Sequence, residues 1–314
     1  MWAYVVRKLI AAVPVLLGAA LLAFLILHLS PGDPARLVAG EQAFEEDVEM
    51  IRRQLGLDRP FLVQYGRFLG SVLHGELGRS IRTGRSVRDE IGARFPYTME
   101  LAVTSLILSV AIGVVAGILA ATRPNTAYDY GATLGALAGV STPTFWLGLL
   151  LMLAFSYYLG WLPASGRGGP LWTWEGVQAM IMPAIALGTP SAAIIARLTR
   201  SSLLEVMRQD YVRTARSKGL IERVVINHHA LRNALIPVVT VVGLRLGVLL
   251  GGAVITEQVF AWPGIGTLIV TAISSRDYPM VQGAILVVAF SFVTVNLGVD
   301  LLYALVDPRI RYEE

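Results

Sequence analysis

The sequence contains no cysteine, little charge and almost no lysine. Without cysteine the chain can form no disulfide, no thiolate metal site and no iron–sulfur ligation. Charged residues make up 15% of the 314 positions, whereas soluble domains carry roughly 25%. Because 55% of the residues are hydrophobic and the mean hydropathy is +0.62, the composition excludes an ordinary soluble enzyme and predicts an integral membrane protein.

The sequence has two lysines, Lys8 and Lys218, and their positions exclude the most common type of phosphate-binding loop. The phosphate-binding loop G-x-x-x-x-G-K-[ST] requires a lysine directly after a glycine, and neither lysine has that setting. If the chain works with ATP, we therefore expect another subunit to hydrolyse it. The other 24 of the 26 basic residues are arginines, and the net charge of +4 gives no indication of nucleic acid.

Apolar runs divide most of the chain into transmembrane segments, which need about 20 residues each. Six runs meet or approach that length, so the sequence predicts an all-α membrane protein with six transmembrane helices. The third is long enough to tilt or to be kinked by Pro143, and we expect the fourth to break at Pro183 and Pro190. The predicted spans are Leu9–Leu29, Leu101–Ala121, Gly131–Tyr158, Ala179–Ala196, Asn233–Thr256 and Val281–Val306.

Arginine and lysine in the short loops predict the orientation of these spans. With the N-terminus inside, the inside segments are richer in basic residues than the short outside loops, so we expect both termini in the cytoplasm. The first span is too long for a signal peptide and lacks a small-residue cleavage site, which indicates a retained anchor. The inside residues are Arg7, Lys8, Arg123, the group from Arg197 to Arg232, Arg309 and Arg311, against Arg167 and Arg276 outside.

These spans define four regions. We assign residues 1–29 to an N-terminal segment and first span, 30–96 to an extracytoplasmic insert, 97–306 to a core with a cytoplasmic loop at 199–232, and 307–314 to a cytoplasmic tail. In the insert, Phe44, Val48, Ile51 and Leu55 recur at helical spacing before Gly56, which is placed to end a helix. The insert is either a solvated cap or a docking surface or gate.

Small and charged residues within the spans indicate how they pack. Glycines four residues apart permit close helix contact, either within this chain or with a second subunit. Arg245 lies about 160° around its helix from one glycine stripe, which indicates a polar cavity, an acidic partner helix or a substrate carboxylate. We expect water or lipid headgroups to satisfy Glu100 and Asp300, near span ends. The glycines are Gly113 and Gly117; Gly131, Gly135 and Gly139; and Gly243, Gly247 and Gly251.

The segment from Arg197 to Arg232 forms the one large inside loop. Ser202 and Glu205 form a capping-box pattern, which predicts a helix from there to Lys218. Gly219 is expected to end that helix, and a second short helical stretch follows. This helix–glycine–helix is too small to bury a core alone, so we expect a partner to cover it.

Within this loop, Arg213-Thr214-Ala215 followed by Gly219 resembles the "EAA…G" loop of ABC importer permeases, which docks into a cleft of the ATP-binding subunit. The loop has Arg213 where glutamate is usual and Arg232 where the final proline is expected. Other motifs extend the resemblance to the B-type permease of dipeptide/oligopeptide ABC transporters, a binding-protein-dependent transport system inner-membrane component. They are Asp210–Leu220, His229–Pro237, Leu29–Pro34, Gly56–Pro60, Gly75–Gly78, Leu162–Gly166, Glu257–Gly264 and Asp307–Arg311.

The resemblance implies a type I ABC importer permease fold in a bacterial or archaeal cytoplasmic membrane, surrounded by membrane lipid. It implies a second six-span, C-type permease, two ATP-binding subunits and an extracytoplasmic substrate-binding protein. This chain would then hold no catalytic residue, metal or cofactor, with ATP and Mg on the partner subunits. The cargo would be a di- or oligopeptide, or, in relatives of the same architecture, a nickel complex, glutathione or an oligosaccharide.

The resemblance also implies roles for individual residues. The ATPase-coupling residues would move as a rigid lever that ends at Gly219, where a positive φ is expected. Arg245 is the candidate for the translocation pathway. For Trp262, the alternative to a gate is an interfacial anchor. The coupling residues are Asp210, Tyr211, Arg213, Thr214, Ala215, Arg216, Lys218 and Gly219, and the extracytoplasmic gate residues are Glu257, Phe260, Trp262, Pro263 and Gly264.

Two other protein classes fit the sequence less well. An ion-coupled secondary transporter usually carries acidic or histidine residues along its path, whereas the clear midspan ionisable residue here is Arg245. A membrane-embedded hydrolase would need a motif such as H-E-x-x-H or G-x-S-x-G within a span, and neither occurs. His228 and His229 are adjacent, so they point to different helix faces and form a poor metal pair.

Overall fold

The computed structural model describes residues 2–29, 33–40, 42–54 and 56–306, which are almost entirely helical. Two of the helices continue directly as π-helices. The elements are α1 (Trp2–Leu29), α2 (Pro34–Ala39), α3 (Glu45–Gln54), α4 (Phe61–Leu73), α5 (Val87–Thr122), α6 (Ala127–Ser141), α7 (Thr144–Leu151, then π-helical over Met152–Tyr158), α8 (Trp174–Val206), α9 (Asp210–Ser217), α10 (Glu222–Val224, then π-helical over Val225–Ala230), α11 (Leu231–Ala234), α12 (Ile236–Val259), α13 (Ile265–Ser274) and α14 (Tyr278–Val306).

Within these described ranges, five helices are long and apolar enough to cross a membrane: α1, α5, α8, α12 and α14. The pair α6–α7 is bent by 107° between its halves and brings the number of spans to six if the two halves count as one. The bend falls at Thr142 and Pro143, because Pro143 has no N–H to continue the ladder of α6. The predicted kink at Pro143 is therefore confirmed, and the described residues hold five spans, or six with the bent pair.

The prediction that α8 breaks at its prolines is wrong. α8 runs without interruption from Trp174 to Val206 and contains both Pro183 and Pro190. Each proline removes one backbone hydrogen bond, but α6, α7 and α12 pack along α8 and hold its backbone in place. Between the prolines, the Ser109 hydroxyl of α5 also donates a hydrogen bond to the Gly188 carbonyl, at 2.8 Å.

The chain divides into two compact units, and the larger consists of Tyr97–Pro263 with Gly298–Glu314. In it, α5 approaches α8 closely at two glycines. A Cβ atom on Gly113 would lie 2.7 Å from the Ala192 carbonyl oxygen, and one on Gly117 would lie 2.5 Å from Thr199 Cβ. Packing within the chain explains these two glycines, whereas Gly131 has open space around its Cβ position.

The smaller unit consists of Met1–Pro96 with Gly264–Leu297. Its apolar core joins the start of α5 to α13 and α14, and Asp277 accepts hydrogen bonds from the Ser80 hydroxyl and from the Ile81 amide (3.2 Å). The helix predicted in the insert is confirmed as α3, with Val48 buried and Gly56 at φ +67° after it. Leu55, residues 30–32 of the Leu29–Pro34 motif and the predicted tail at 307–314 lie outside the described residues.

Candidate functional site

The residues from 207 to 234, here called the Gly219 segment, follow α8 and contain the predicted coupling residues. Asp210 lies in the first turn of α9, where its negative charge complements the helix dipole. Thr214 Oγ1 donates to the Asp210 carbonyl at 2.9 Å, and Arg213 forms an ion pair with the Asp210 side chain at 3.3 Å. Lys218 caps α9 and Gly219 has φ +78°, so the predicted end of the helix is confirmed.

The predicted start of this helix is wrong. Ser202 and Glu205 lie inside α8, and α9 begins only at Asp210 after a short turn. α8 continues past Ser202 because Leu203 is fully buried, in a core shared with Ala121 and Val212. A serine three residues before a glutamate marks a helix start only where the preceding residues are not already helical.

Side-chain bonds fasten α9 to the helices that follow Gly219. Arg216 binds Glu222 through two hydrogen bonds, of 2.7 and 3.1 Å. The Asn233 side chain donates to the Tyr211 hydroxyl at 2.8 Å. The Arg216 guanidinium holds the pKa of Glu222 below its ordinary value, chiefly through the hydrogen bonds. The two helical stretches on either side of Gly219 are therefore joined as one body.

The Gly219 segment has one buried and one exposed face. The expectation that only a partner could cover it is wrong for the first face, because Val212, Ala215 and Val225 are buried against α5 and α8 of this chain. On the other face, Ile221 is 68% exposed and Leu220 is 40% exposed. An apolar surface beside exposed charges suits a transient protein interface.

Arg245 lies in the middle of α12 and is half-buried. It forms no hydrogen bond or ion pair with any residue in the described part of the chain. It stands at the edge of an exposed apolar face of α12 that includes Leu244, Val248 and Ile255. The described residues therefore provide no ion pair for Arg245 inside this chain. That its guanidinium faces a polar cavity or a group of another molecule stays a prediction.

The predicted gate residues lie at the end of α12, and most are fully buried. Glu257 accepts a hydrogen bond from Thr98 Oγ1 at 2.6 Å. The Trp262 indole donates to the Tyr97 carbonyl at 2.9 Å, and the Phe260 carbonyl accepts from the Gly166 amide at 2.8 Å. Trp262 is 0% exposed, so the alternative of an interfacial anchor is wrong. Pro263 is half-buried, and Gly264 is the N-cap of α13.

An ion pair that the sequence did not predict lies beside these residues. Arg167 donates to both oxygens of Glu100, at 2.8 and 3.1 Å, and its guanidinium stacks on the Tyr97 ring at 4.4 Å. Glu100 raises the pKa of Arg167, chiefly through these hydrogen bonds. The expectation that water or headgroups satisfy Glu100 is thus wrong, since an arginine does. These residues form the Trp262 cluster: Tyr97, Thr98, Glu100, Arg167, Glu257, Phe260 and Trp262.

A second unpredicted ion pair joins α6 to α8. Arg200 donates to the two oxygens of Asp129 at 2.5 and 2.8 Å, and the Asn125 amide donates to Asp129 at 3.0 Å. The Asp129 side chain is 4% exposed. The one sequence feature that could have indicated it is a lone acidic residue at the start of an apolar helix, with an arginine late in another.

No group of three or more histidine, aspartate or glutamate side chains within the described ranges could hold a metal ion. His228 and His229 contact each other edge to face, with ring centroids 5.3 Å apart. The notable features are instead a helical segment held together around a glycine, a lone intramembrane arginine and a buried hydrogen-bonded cluster.

Known proteins resemble this chain over nearly all of its length. A dipeptide transport system permease protein, DppB, of Alkalihalophilus pseudofirmus is 48% identical, with 99% of this chain and 100% of that protein covered. A glutathione transport system permease protein, GsiC, of Escherichia coli K12 is 44% identical, with 99% of each chain covered.

Among solved structures, the inward-facing MetNI methionine ABC transporter has a chain with a TM-score of 0.57 and 17% identity. The match covers 69% of this chain and 96% of that one. An amino acid ABC transporter crystallised with histidines gives a TM-score of 0.52 at 16% identity, covering 70% and 94%. The predicted type I ABC importer permease fold is therefore confirmed.

Two family matches together account for most of the sequence. Residues 113–312 match the binding-protein-dependent transport system inner membrane component, and residues 1–102 match the N-terminal region of such membrane components. Together with the long apolar helices, these matches make the protein a multi-pass membrane permease subunit. The chain belongs to the family of inner membrane components of binding-protein-dependent transport systems.

Proposed function

We propose that this chain is one of two permease subunits of an ATP-driven importer for di- and oligopeptides. The observation that carries the proposal is the Gly219 segment, an exposed helix–glycine–helix that is joined internally by Arg216 and Glu222. The names of the relatives support the peptide class, because one transports dipeptides and another glutathione, itself a tripeptide. Glutathione, a nickel complex or an oligosaccharide is the alternative cargo.

In this proposal, other subunits supply the rest of the pathway, the ATP hydrolysis and the delivery of the cargo. A second, C-type permease completes the pathway, two ATP-binding subunits hydrolyse ATP with Mg, and an extracytoplasmic binding protein delivers the cargo. Both termini of this chain lie in the cytoplasm. The basic residues around the Gly219 segment support this orientation, because inside loops are rich in arginine and lysine.

Coupling begins at the exposed face of the Gly219 segment, from Asp210 to Gly219. When the ATP-binding subunits close, they displace α9. The bonds of Arg216 and Tyr211 to residues beyond Gly219 transmit the displacement to α11 and α12. α8 receives it through the buried apolar core that Val212 shares with Leu203. The two spans that flank the segment then rock, which opens the pathway alternately to each side.

In this proposal Arg245 contacts the cargo. Burying an unpaired arginine at the centre of a membrane is costly, roughly 2.5–3.5 kcal/mol on insertion scales, so a pathway that retains one needs an anion there. The carboxylate that every peptide carries at its C-terminus is such an anion. The Trp262 cluster, in which buried side chains hold the end of α12, forms the extracytoplasmic gate.

Substituting Gly219 by aspartate tests the coupling mechanism. Any side chain at φ +78° is strained, so Gly219→Asp should abolish peptide uptake and peptide-stimulated ATP hydrolysis while this chain still inserts into the membrane. Gly84→Asp is a matched control, since Gly84 has φ +68° and, like Gly219, open space at its Cβ position. Normal uptake by the Gly219→Asp importer would exclude the lever.

Arg245→Gln tests both the pathway and the cargo. We expect uptake of a free dipeptide to fall at least about tenfold, as the loss of a charge-assisted hydrogen bond of roughly 1.5–3 kcal/mol predicts. Uptake of the same dipeptide with an amidated C-terminus should be unchanged by the substitution. Equal losses of uptake for both peptides would mean that Arg245 supports the structure of the complex and does not contact the cargo. If glutathione is imported and dipeptides are not, glutathione replaces the dipeptide as the proposed cargo.

A further inference from the structure

A groove lined by small apolar residues runs between α5, α6 and α8 of the larger unit. Two cavities, of about 260 and 350 Å³, open along it. They share four lining residues, Ala132, Ala136, Ala193 and Ala196, and therefore form one continuous groove. The larger cavity falls in the size range of small-molecule sites, roughly 300–1,000 Å³. Neither the coupling mechanism nor the gate uses this groove.

The hydroxyl groups that line the groove are already hydrogen-bonded within the protein. Ser109 Oγ donates to the Ser105 and Gly188 carbonyls, at 2.6 and 2.8 Å. Thr189 Oγ1 donates to the Ile185 carbonyl at 2.6 Å. A peptide or sugar in the groove would bury polar groups without partners, which costs free energy. A hydrocarbon chain would not.

The groove is positively charged at one end. Arg197 and Arg200 both line the larger cavity there. Arg200 is neutralised by Asp129, whereas Arg197 forms no hydrogen bond or ion pair with any residue that the structure describes. Arg197 is exposed, so its guanidinium is available to bind an anion from outside the chain through charge-assisted hydrogen bonds.

The groove is long enough to hold the part of an acyl chain that lies in one leaflet of a bilayer. Ile185 and Arg200 line its two ends on α8, and 15 residues of helix span roughly 22 Å. Half of a hydrocarbon core of about 30 Å is about 15 Å. An acyl chain that starts beside Arg197 can therefore lie along the groove from one membrane surface towards its centre.

We propose that this groove binds an anionic phospholipid, with one acyl chain between α5, α6 and α8 and the phosphate on Arg197. Basic pockets between membrane helices recognise anionic headgroups in this way. The exposed rim residues Ile112, Leu137 and Val140 then contact the rest of the lipid. The proposal requires only that the chain spans a bilayer, so its failure would leave the importer function untouched.

The test is lipid retention by the whole importer complex in nanodiscs of phosphatidylcholine, with or without phosphatidylglycerol, followed by mild-detergent extraction and native mass spectrometry. We expect one phosphatidylglycerol per copy of this chain. Arg197→Gln should lower its retention about fivefold, since each basic residue near a membrane surface contributes roughly that factor. Arg59→Gln, which removes an exposed arginine of the insert, should have no effect. Ala132→Leu should displace the lipid by filling the groove.

Three results would overturn the proposal. One is equal retention of phosphatidylglycerol and phosphatidylcholine, and another is the same retention in Arg197→Gln as in Arg59→Gln. The third is efficient cross-linking of Leu137→Cys to the second permease subunit, which would mean that a protein covers the groove; the native chain has no cysteine to confuse the result. If Ala132→Leu prevents assembly, the Arg197→Gln comparison decides alone.

Discussion

The Gly219 segment and the Trp262 cluster differ in how they are held together. In the Gly219 segment, the side-chain contacts join residues that are close in sequence, such as Arg216 and Glu222, six positions apart. In the Trp262 cluster, Thr98 and Glu257 are 159 positions apart, and Trp262 and Tyr97 are 165 apart. The first region keeps one exposed, charged face, whereas the second is buried.

This difference indicates different mechanical roles. A segment whose side-chain hydrogen bonds are mainly local can move as one piece, together with the apolar core that it shares with α8, without breaking those hydrogen bonds. A cluster that joins distant parts of the chain can move only if buried hydrogen bonds break, so it resists motion until enough free energy is supplied. Substitutions in the cluster should therefore act on stability first, and those in the Gly219 segment on coupling first.

Trp262→Ala should give the largest loss of stability. Trp262 is completely buried, so its removal leaves a cavity and should destabilise the chain by about 3–5 kcal/mol. Trp172→Ala is the matched control, because Trp172 is 87% exposed. The measurement is thermal unfolding of the purified importer in one detergent. Similar melting temperatures for the two variants would contradict the description of the cluster as a buried, stabilising unit.

The pair of Arg167 and Glu100 should give the next largest effect. Both side chains are largely buried, at 21% and 15% exposure. Arg167→Gln leaves the Glu100 carboxylate without its cation and should cost about 1–3 kcal/mol.

Removing the second charge should restore part of that stability. The double variant Arg167→Gln/Glu100→Gln buries no unpaired charge, so it should unfold at a higher temperature than Arg167→Gln alone. If the two losses simply add, the pair contributes nothing as a pair.

The features that could be predicted from the sequence are those held by local contacts, and the features that could not are those held by contacts between distant parts of the chain. The spans and the end of α9 at Gly219 were predictable because hydropathy and a glycine after a helix are local properties. The pairing of Arg167 with Glu100, 67 positions away, depends on the fold and has no local pattern. The Ser202–Glu205 pattern misled because it does not distinguish a helix start from the interior of a helix that tertiary packing extends.

Arg216→Gln should have a small effect on stability and a larger one on coupling. Glu222 is 55% exposed and Arg216 39%, so solvent screens the pair and its loss should cost under about 1 kcal/mol. The loss would still free α9 from α10, so ATP hydrolysis should continue with less peptide uptake per ATP. Unchanged uptake per ATP would show that the pair transmits no motion.

Lowering the pH should weaken the ion pair of Arg216 and Glu222, and we expect this to be the smallest of the effects on stability. Arg216 lowers the pKa of Glu222 in the folded protein, so the pair stabilises the fold at pH values above the ordinary glutamate pKa, about 4.3. That contribution is lost as the pH falls through the lowered folded pKa and Glu222 takes up a proton. The stability difference between the native chain and Glu222→Gln should therefore be constant above about pH 5 and should shrink in stronger acid. The stability difference between the native chain and Arg216→Gln should shrink over the same pH range, because that variant removes the other half of the pair. If the difference between the native chain and Glu222→Gln persists at low pH, Glu222 acts through something other than its charge.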